Sequence, residues 1–298
     1  MPFEKRTHTG FAPGKLILTG EHSVVYGYPA IAIPVNLGVT VTLSSTHGGS
    51  YFRTPDARLE SILLPFLPTS GVAVSIHSTL PMGKGMGSSA ALSVALVRAL
   101  ASWEGKTSDF STEYEIGMSI EKQFHGNPSG VDHTVSALGK MVFYTKKASG
   151  PEITPMQNPP LELLVVDSGE MGNTATMVEH VAKQYKESPE TTKEILKNIG
   201  DITQKIHEKL LCPILDLPSL GACFTQNHEQ LRNLGLSTPA IESIITYIST
   251  HGGYGAKLSG SGGGGVVMAL IDSPAQHVPT LAEMGYTAYV IHPFVPTA

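Results

Sequence analysis

Little in this sequence points away from small-molecule chemistry, and what it lacks narrows the field. Its 298 residues hold two cysteines, Cys212 and Cys223, without metal-type spacing, so neither a disulfide framework nor a cysteine-based metal site is expected. A reducing, cytoplasmic setting is the matching expectation. Basic runs are absent and the formal net charge is −5, which argues against nucleic acid or a membrane surface as partner. The charged start, Met1 to Arg6, is not followed by an apolar leader core, and no apolar run is long enough to span a bilayer. Internal repeats are missing, and low complexity is confined to residues 260–265. Two familiar phosphate motifs are also missing. GxxxxGK[ST] would need glycine where Leu100 precedes Gly105-Lys106-Thr107, and Ser88 stands where a dinucleotide fingerprint has its third glycine.

Glycine and the small hydroxyl residues, by contrast, are concentrated in one place. The stretch Leu80-Pro81-Met82-Gly83-Lys84-Gly85-Met86-Gly87-Ser88-Ser89-Ala90-Ala91 leads into the apolar run Leu92 to Trp103. Alternate glycines let a backbone turn tightly and bring its amides close to a ligand, and two serines then stand where a helix begins. The N-terminus of that buried helix would favour an anion. A phosphate cradle is the reading that fits.

The length suits two domains, with a junction in the proline-rich stretch 147–160. Before it, strands are expected at 15–19, 39–43, 72–78 and 140–144, with a long connection over 20–34 and an exposed hairpin or loop over 47–61. Helices are expected from Ser88, from a capping box at Thr112, and from Ser129 to about Gly139. After the junction a strand at 163–167 precedes helices at about 174–187, 189–210, 218–234 and 239–251. Strands at 266–271 and 287–292 then flank a last short helix near 275–284. Such grouped helices and strands indicate an α+β chain.

Three more stretches carry chemistry-bearing residues. Ala12 to Gly27 sets Lys15, Glu21 and His22 around one strand and its turn. Glu121 to Asp132 offers two carboxylates; Asp132 has the spacing of an acidic partner to a Ser129 cap, where a helix N-terminus would also hold a catalytic base ionised. Glu121 becomes a metal-ligand candidate only beside a nucleotide that needs Mg2+. Lys257-Leu258-Ser259-Gly260-Ser261-Gly262-Gly263-Gly264-Gly265 precedes an apolar strand, which suggests close backbone approach to a ligand rather than a linker.

Together these stretches resemble the GHMP kinase superfamily across the whole chain and in the family order. Pro13 to Gly27 resembles its first motif, Pro81 to Ala91 its ATP-binding second and Lys257 to Gly265 its third. Glu21-His22-Ser23-Val24-Val25-Tyr26-Gly27 and His125 to Asp132 are similar to the mevalonate-phosphorylating branch and unlike the Gly-Glu-His-x-Asp-Tyr of galactokinases. The resemblance implies a two-domain α+β GHMP kinase fold. Residues 1–158 would be like ribosomal protein S5 domain 2, 159–298 ferredoxin-like, and ATP would lie in the cleft between them. It implies ATP contacts from Pro81, Met82, Gly83, Lys84, Gly85, Met86, Gly87, Ser88 and Ser89. It further implies Asp132 and Lys15 as catalytic residues, Mg2+ on Ser89 and Glu121, and substrate contacts from Lys15, Glu21, His22, Asp132, Thr174, Gly260 and Ser261. The activity implied is ATP-dependent phosphorylation of the primary hydroxyl of mevalonate by a cytoplasmic homodimer. Phosphomevalonate kinase, homoserine kinase and a non-catalytic sensor of ATP and a metabolite are the alternatives on this fold. Retention of Lys15, Ser89, Glu121 and Asp132 counts against the sensor. Met86 replaces the usual leucine of the second motif, and His133 replaces the common asparagine after the aspartate.

Overall fold

A computed structural model describes residues 6–53, 56–69, 71–81, 83–125 and 130–295. Expectations that fall on Met82 and on Ser129 as a helix cap lie outside those residues.

The first half builds a sheet from β1 (Thr7–Thr19), β2 (Pro29–Ser45), β3 (Tyr51–Phe52), β4 (Val72–Ser78), β5 (Met141–Lys147) and β6 (Gly150–Met156). Its order is β3-β4-β2-β5-β6, with β1 paired to β2. Helices α1 (Ala57–Leu63), α2 (Ser88–Trp103), α3 (Phe110–His125) and α4 (Val131–Leu138) accompany it. Small and apolar residues make α2 the centre of this half. Ala90, Ala91, Leu92, Val94, Ala95, Leu96, Val97 and Ala99 are all buried, each branched side chain stabilising the fold by roughly 1.5–3 kcal/mol relative to exposure. The helix lies so close to β1 that a Cβ on Gly10 would come within 2.2 Å of the Ala95 carbonyl oxygen.

The second half pairs β7 (Leu163–Asp167), β8 (Gly255–Ser259), β9 (Val266–Leu270) and β10 (Thr287–Ile291) in the order β10-β7-β9-β8, every pair antiparallel. Fourth, first, third, second is the ferredoxin-like order that the resemblance implied. Helices α5 (Thr174–Glu187), α6 (Pro189–Leu210), α7 (Leu217–Asn233) and α8 (Pro239–Thr250) fill the first crossover, and α9 (Val278–Glu283) the last. Side chains of β7 and β9 alternate between two cores, as a strand's period of two requires. Leu163, Val165, Val266 and Met268 join the core shared with the first half, while Leu164, Val166, Val267 and Ala269 face the one built with the second half's helices. No helix among the described residues is long and apolar enough to cross a membrane.

Several expectations give way. Strand β2 starts at Pro29, so the connection expected over 20–34 shrinks to a turn around a 3-10 segment, Ser23–Tyr26. Much of the presumed 147–160 loop is β6, which tolerates Pro151 and Pro155 because it lies at the sheet edge. Helix α3 begins before Thr112, with Asp109 Oδ1 accepting from the Thr112 amide at 2.8 Å. Helix α4 begins at Val131 behind Gly130, whose φ of 87° takes the left-handed cap position, so Asp132 is the second helical residue.

Candidate active site

The site is assembled on β1. Its pairing with β2 shifts register between Pro13 and Lys15 and again between Ile17 and Thr19, and such bulges re-aim side chains. Lys15 emerges between the glycine loop and α4. Its amide donates to the Met86 carbonyl at 3.0 Å and its Nζ to the Gly85 carbonyl at 2.9 Å. The same Nζ lies 3.1 Å from Asp132 Oδ2. Gly83, Gly85 and Gly87 all have positive φ, between 69° and 75°, a backbone that side chains other than glycine adopt at a cost. Gly87 caps α2 without a side-chain hydrogen bond, and the N-terminus of a helix favours an anion.

Beside this loop, Ser89 Oγ donates to Glu121 Oε1 at 2.9 Å, joining the start of α2 to the last turn of α3. Burial pushes the Glu121 carboxyl up to about 7, against the opposing pull of the Ser89 hydrogen bond. A network behind Asp132 fixes α4. Arg98 grips both Glu113 oxygens at 2.8 Å and also donates to the Phe11 and Ala137 carbonyls, tying α2, α3, β1 and α4 together. His133 is buried with Nε2 donating to the Glu113 carbonyl at 2.8 Å. Its ring fills space that Gly117 leaves, since a Cβ there would come within 2.0 Å of it.

Just past the C-terminal end of β1, His22 holds φ at 59°, an uncommon backbone for a residue with a side chain. Its Nε2 donates to the Ser261 carbonyl at 2.8 Å, and Ser261 Oγ lies 3.2 Å from Thr174 Oγ1. Burial lowers the His22 pKa, so the ring is neutral near pH 7. Beneath it Glu21 is wholly engaged. One oxygen meets Lys257 Nζ and the other accepts from Asn227 Nδ2 at 3.1 Å. Direct substrate contact by Glu21 therefore gives way to an internal role, because its side chain is only 1% exposed.

Most of the sequence candidates are thus brought together. Gly83 to Ser89, Lys15, Asp132 and Glu121 line one end; His22, Thr174 and Ser261 form the other. Pro81 enters the loop, and Gly260 packs along it, a Cβ there lying 4.0 Å from Gly85 Cα. Sequence reasoning missed Arg98, Glu113 and Asn227. An arginine inside the apolar run Leu92 to Trp103 was the available signal for the first.

An anion cradle facing a carboxylate held by a lysine, across two α+β halves, has the makings of a small-molecule kinase site. The profile described as the GHMP kinases N terminal domain matches residues 57–140, and that of the GHMP kinases C terminal domain matches 208–280. A protein named mevalonate kinase from Thermococcus sibiricus is 32% identical over 309 aligned positions that cover 92% of each chain. Its namesake from Pyrococcus horikoshii is also 32% identical, over 92% of this chain and 91% of its own. Among solved structures, L. major mevalonate kinase in complex with R-mevalonate superposes with a TM-score of 0.83 at 26% identity, covering 99% of this chain and 98% of that one. The chain belongs to the GHMP kinase family.

Proposed function

We propose that the protein transfers the terminal phosphoryl group of ATP to the primary hydroxyl of mevalonate. The observation that carries the reading is the Lys15–Asp132 pair at 3.1 Å beside the glycine loop, in a chain whose relatives of full-length similarity bear the name mevalonate kinase. Residues 1–158 would supply the nucleotide loop and the base, and 159–298 the glycine-rich wall and Thr174. Phosphoryl transfer has a loose transition state, so alignment and charge compensation matter more than covalent help. The amides of Gly83 to Ser89 would hold the phosphates. Asp132 would accept the hydroxyl proton, while the Lys15 ammonium keeps that carboxylate ionised and favours the developing alkoxide.

Two adjacent hard oxygens, Ser89 Oγ and Glu121 Oε1, suit Mg2+, which takes few protein ligands besides phosphate and water. Ser89 and Glu121 would hold the ion, and it would neutralise phosphate charge when bound. At the far end the Thr174 and Ser261 hydroxyls would meet the mevalonate carboxylate, with His22 positioning Ser261. The test is a panel of acceptors with Mg2+ and ATP. ADP release should be fastest with mevalonate, by at least roughly tenfold in kcat/KM, or about 1.4 kcal/mol, over phosphomevalonate, homoserine and galactose. A win by phosphomevalonate or homoserine would keep the family and discard the substrate.

A further inference from the structure

Lys84 sits inside the glycine loop, between Gly83 and Gly85, yet its charge is already spoken for. Its Nζ lies 2.9 Å from Asp167 Oδ1, and the two side chains are only 15% and 14% exposed. Asp167 ends β7, on the opposite half of the molecule, and the same oxygen accepts from the Gly169 amide at 2.8 Å. The two halves lie in contact around the pair. A Cβ on Gly265 would lie 3.5 Å from the Lys84 carbonyl oxygen, and one on Gly83 would lie 3.4 Å from Met171 Sδ. A carboxylate from one half therefore neutralises the cation that the other half places in its phosphate loop.

We propose that Asp167 withholds the Lys84 cation from the nucleotide phosphates and so sets the affinity of the glycine loop for ADP and ATP. This rests on the reading of that loop as the nucleotide site. An ammonium within the loop attracts phosphate, and a carboxylate in contact with it cancels most of that attraction; partial burial keeps solvent from screening either charge fully. Weak nucleotide binding favours product departure, so the pair trades grip for release. Asp167 is on this account a positioning residue that acts through Lys84.

The charges make opposite predictions for the two partners, which a mechanical tether between the halves does not. Titration calorimetry of the full chain with ADP, without acceptor substrate, should show Asp167→Asn tightening Kd by about threefold and Lys84→Met weakening it by a similar factor, the range of a partly exposed ion pair. The double variant restores neutrality and should return to within roughly a factor of two of the wild type. All differences should shrink as salt is raised toward about 0.5 M. Thermal unfolding checks that each variant is folded, and Lys84→Gln replaces the Met variant if that one is not. Both single variants weakening ADP binding, with the double no better, would overturn the proposal and leave a tether. A wild-type chain that does not bind ADP would overturn the nucleotide-loop reading itself.

Discussion

Two lysine–carboxylate pairs flank the same strand and do opposite things. Lys15 and Asp132 meet beside the glycine loop, where the lysine side chain is 3% exposed and the carboxylate 36%. Glu21 and Lys257 meet just past the strand's C-terminal end, where they are 1% and 0% exposed. The functional groups are the same. What differs is whether the carboxylate keeps a face that a ligand can reach. In the first pair the aspartate retains one; in the second, protein donors take both oxygens, and burial pulls the Lys257 pKa down against the attraction of Glu21. Accessibility of the acceptor, more than strength of pairing, separates a candidate base from an internal strut.

The sharpest way to break that contrast is Asp132→Asn. The amide fits the same space but cannot take a proton, so turnover should fall by at least roughly a thousandfold, while the thermal midpoint stays near that of the wild type. Steady-state kinetics beside a melting curve decide it; near-normal turnover would remove Asp132 from the chemistry. Lys257→Met should show the reverse pattern. It strands a buried glutamate and should cost about 3–5 kcal/mol of stability, read by urea unfolding. Adding Glu21→Gln should recover much of the loss, because no uncompensated charge then remains. If the single variant is as stable as the wild type, the second pair is not a strut.

A third carboxylate sharpens the comparison further. Ser89→Ala and Glu121→Gln should each raise the Mg2+ concentration for half-maximal rate, on the order of tenfold. Unchanged Mg2+ titrations in both would move the ion elsewhere. The smallest effect concerns pH. Burial lowers the pKa of His22, His133 and His228 from 6.5. Below about pH 6.5 the unfolded chain therefore takes up protons that the folded chain refuses, and stability is lost as pH falls toward the lowered values. His133→Asn should flatten that loss by at most about 1.4 kcal/mol per pH unit. An identical slope in wild type and variant would show that His133 takes no part in it.

Elements with local punctuation were legible in the sequence. The strand 72–78, the start of α2 at Ser88, α5, and the Pro189 and Pro239 helix starts all fall as expected, because capping residues, prolines and glycines act within a few positions. Elements decided by distant partners were not. Pro29 to Pro34 reads as a loop until β1 and β5 pair with it. Strand β8 is five residues long with a lysine in its middle, whose countercharge is Glu21, 236 positions away. The same holds for the site. Motif wording singled out Lys15, Ser89, Glu121 and Asp132 as candidates, but wording carries no burial, so Glu21 looked as available to a ligand as His22.

The seam between the halves has a consequence for how the chain can be cut. Ser259 Oγ both donates to the Ile17 carbonyl and accepts from the Ile17 amide, at 3.1 Å each, so one side chain of β8 completes the hydrogen bonding of β1. The segment around the chain's last strand is sewn back as well. The Asn36 amide donates to the His292 carbonyl at 3.0 Å, the Phe294 amide to the Pro34 carbonyl at 2.9 Å, and Asn158 Nδ2 to the Phe294 carbonyl. These contacts join the halves apart from the covalent connection between Met156 and Leu163, within which Asn158 lies. The gene could be split there and its two products expressed separately, and they would reassemble as a complementing pair rather than fold as independent modules.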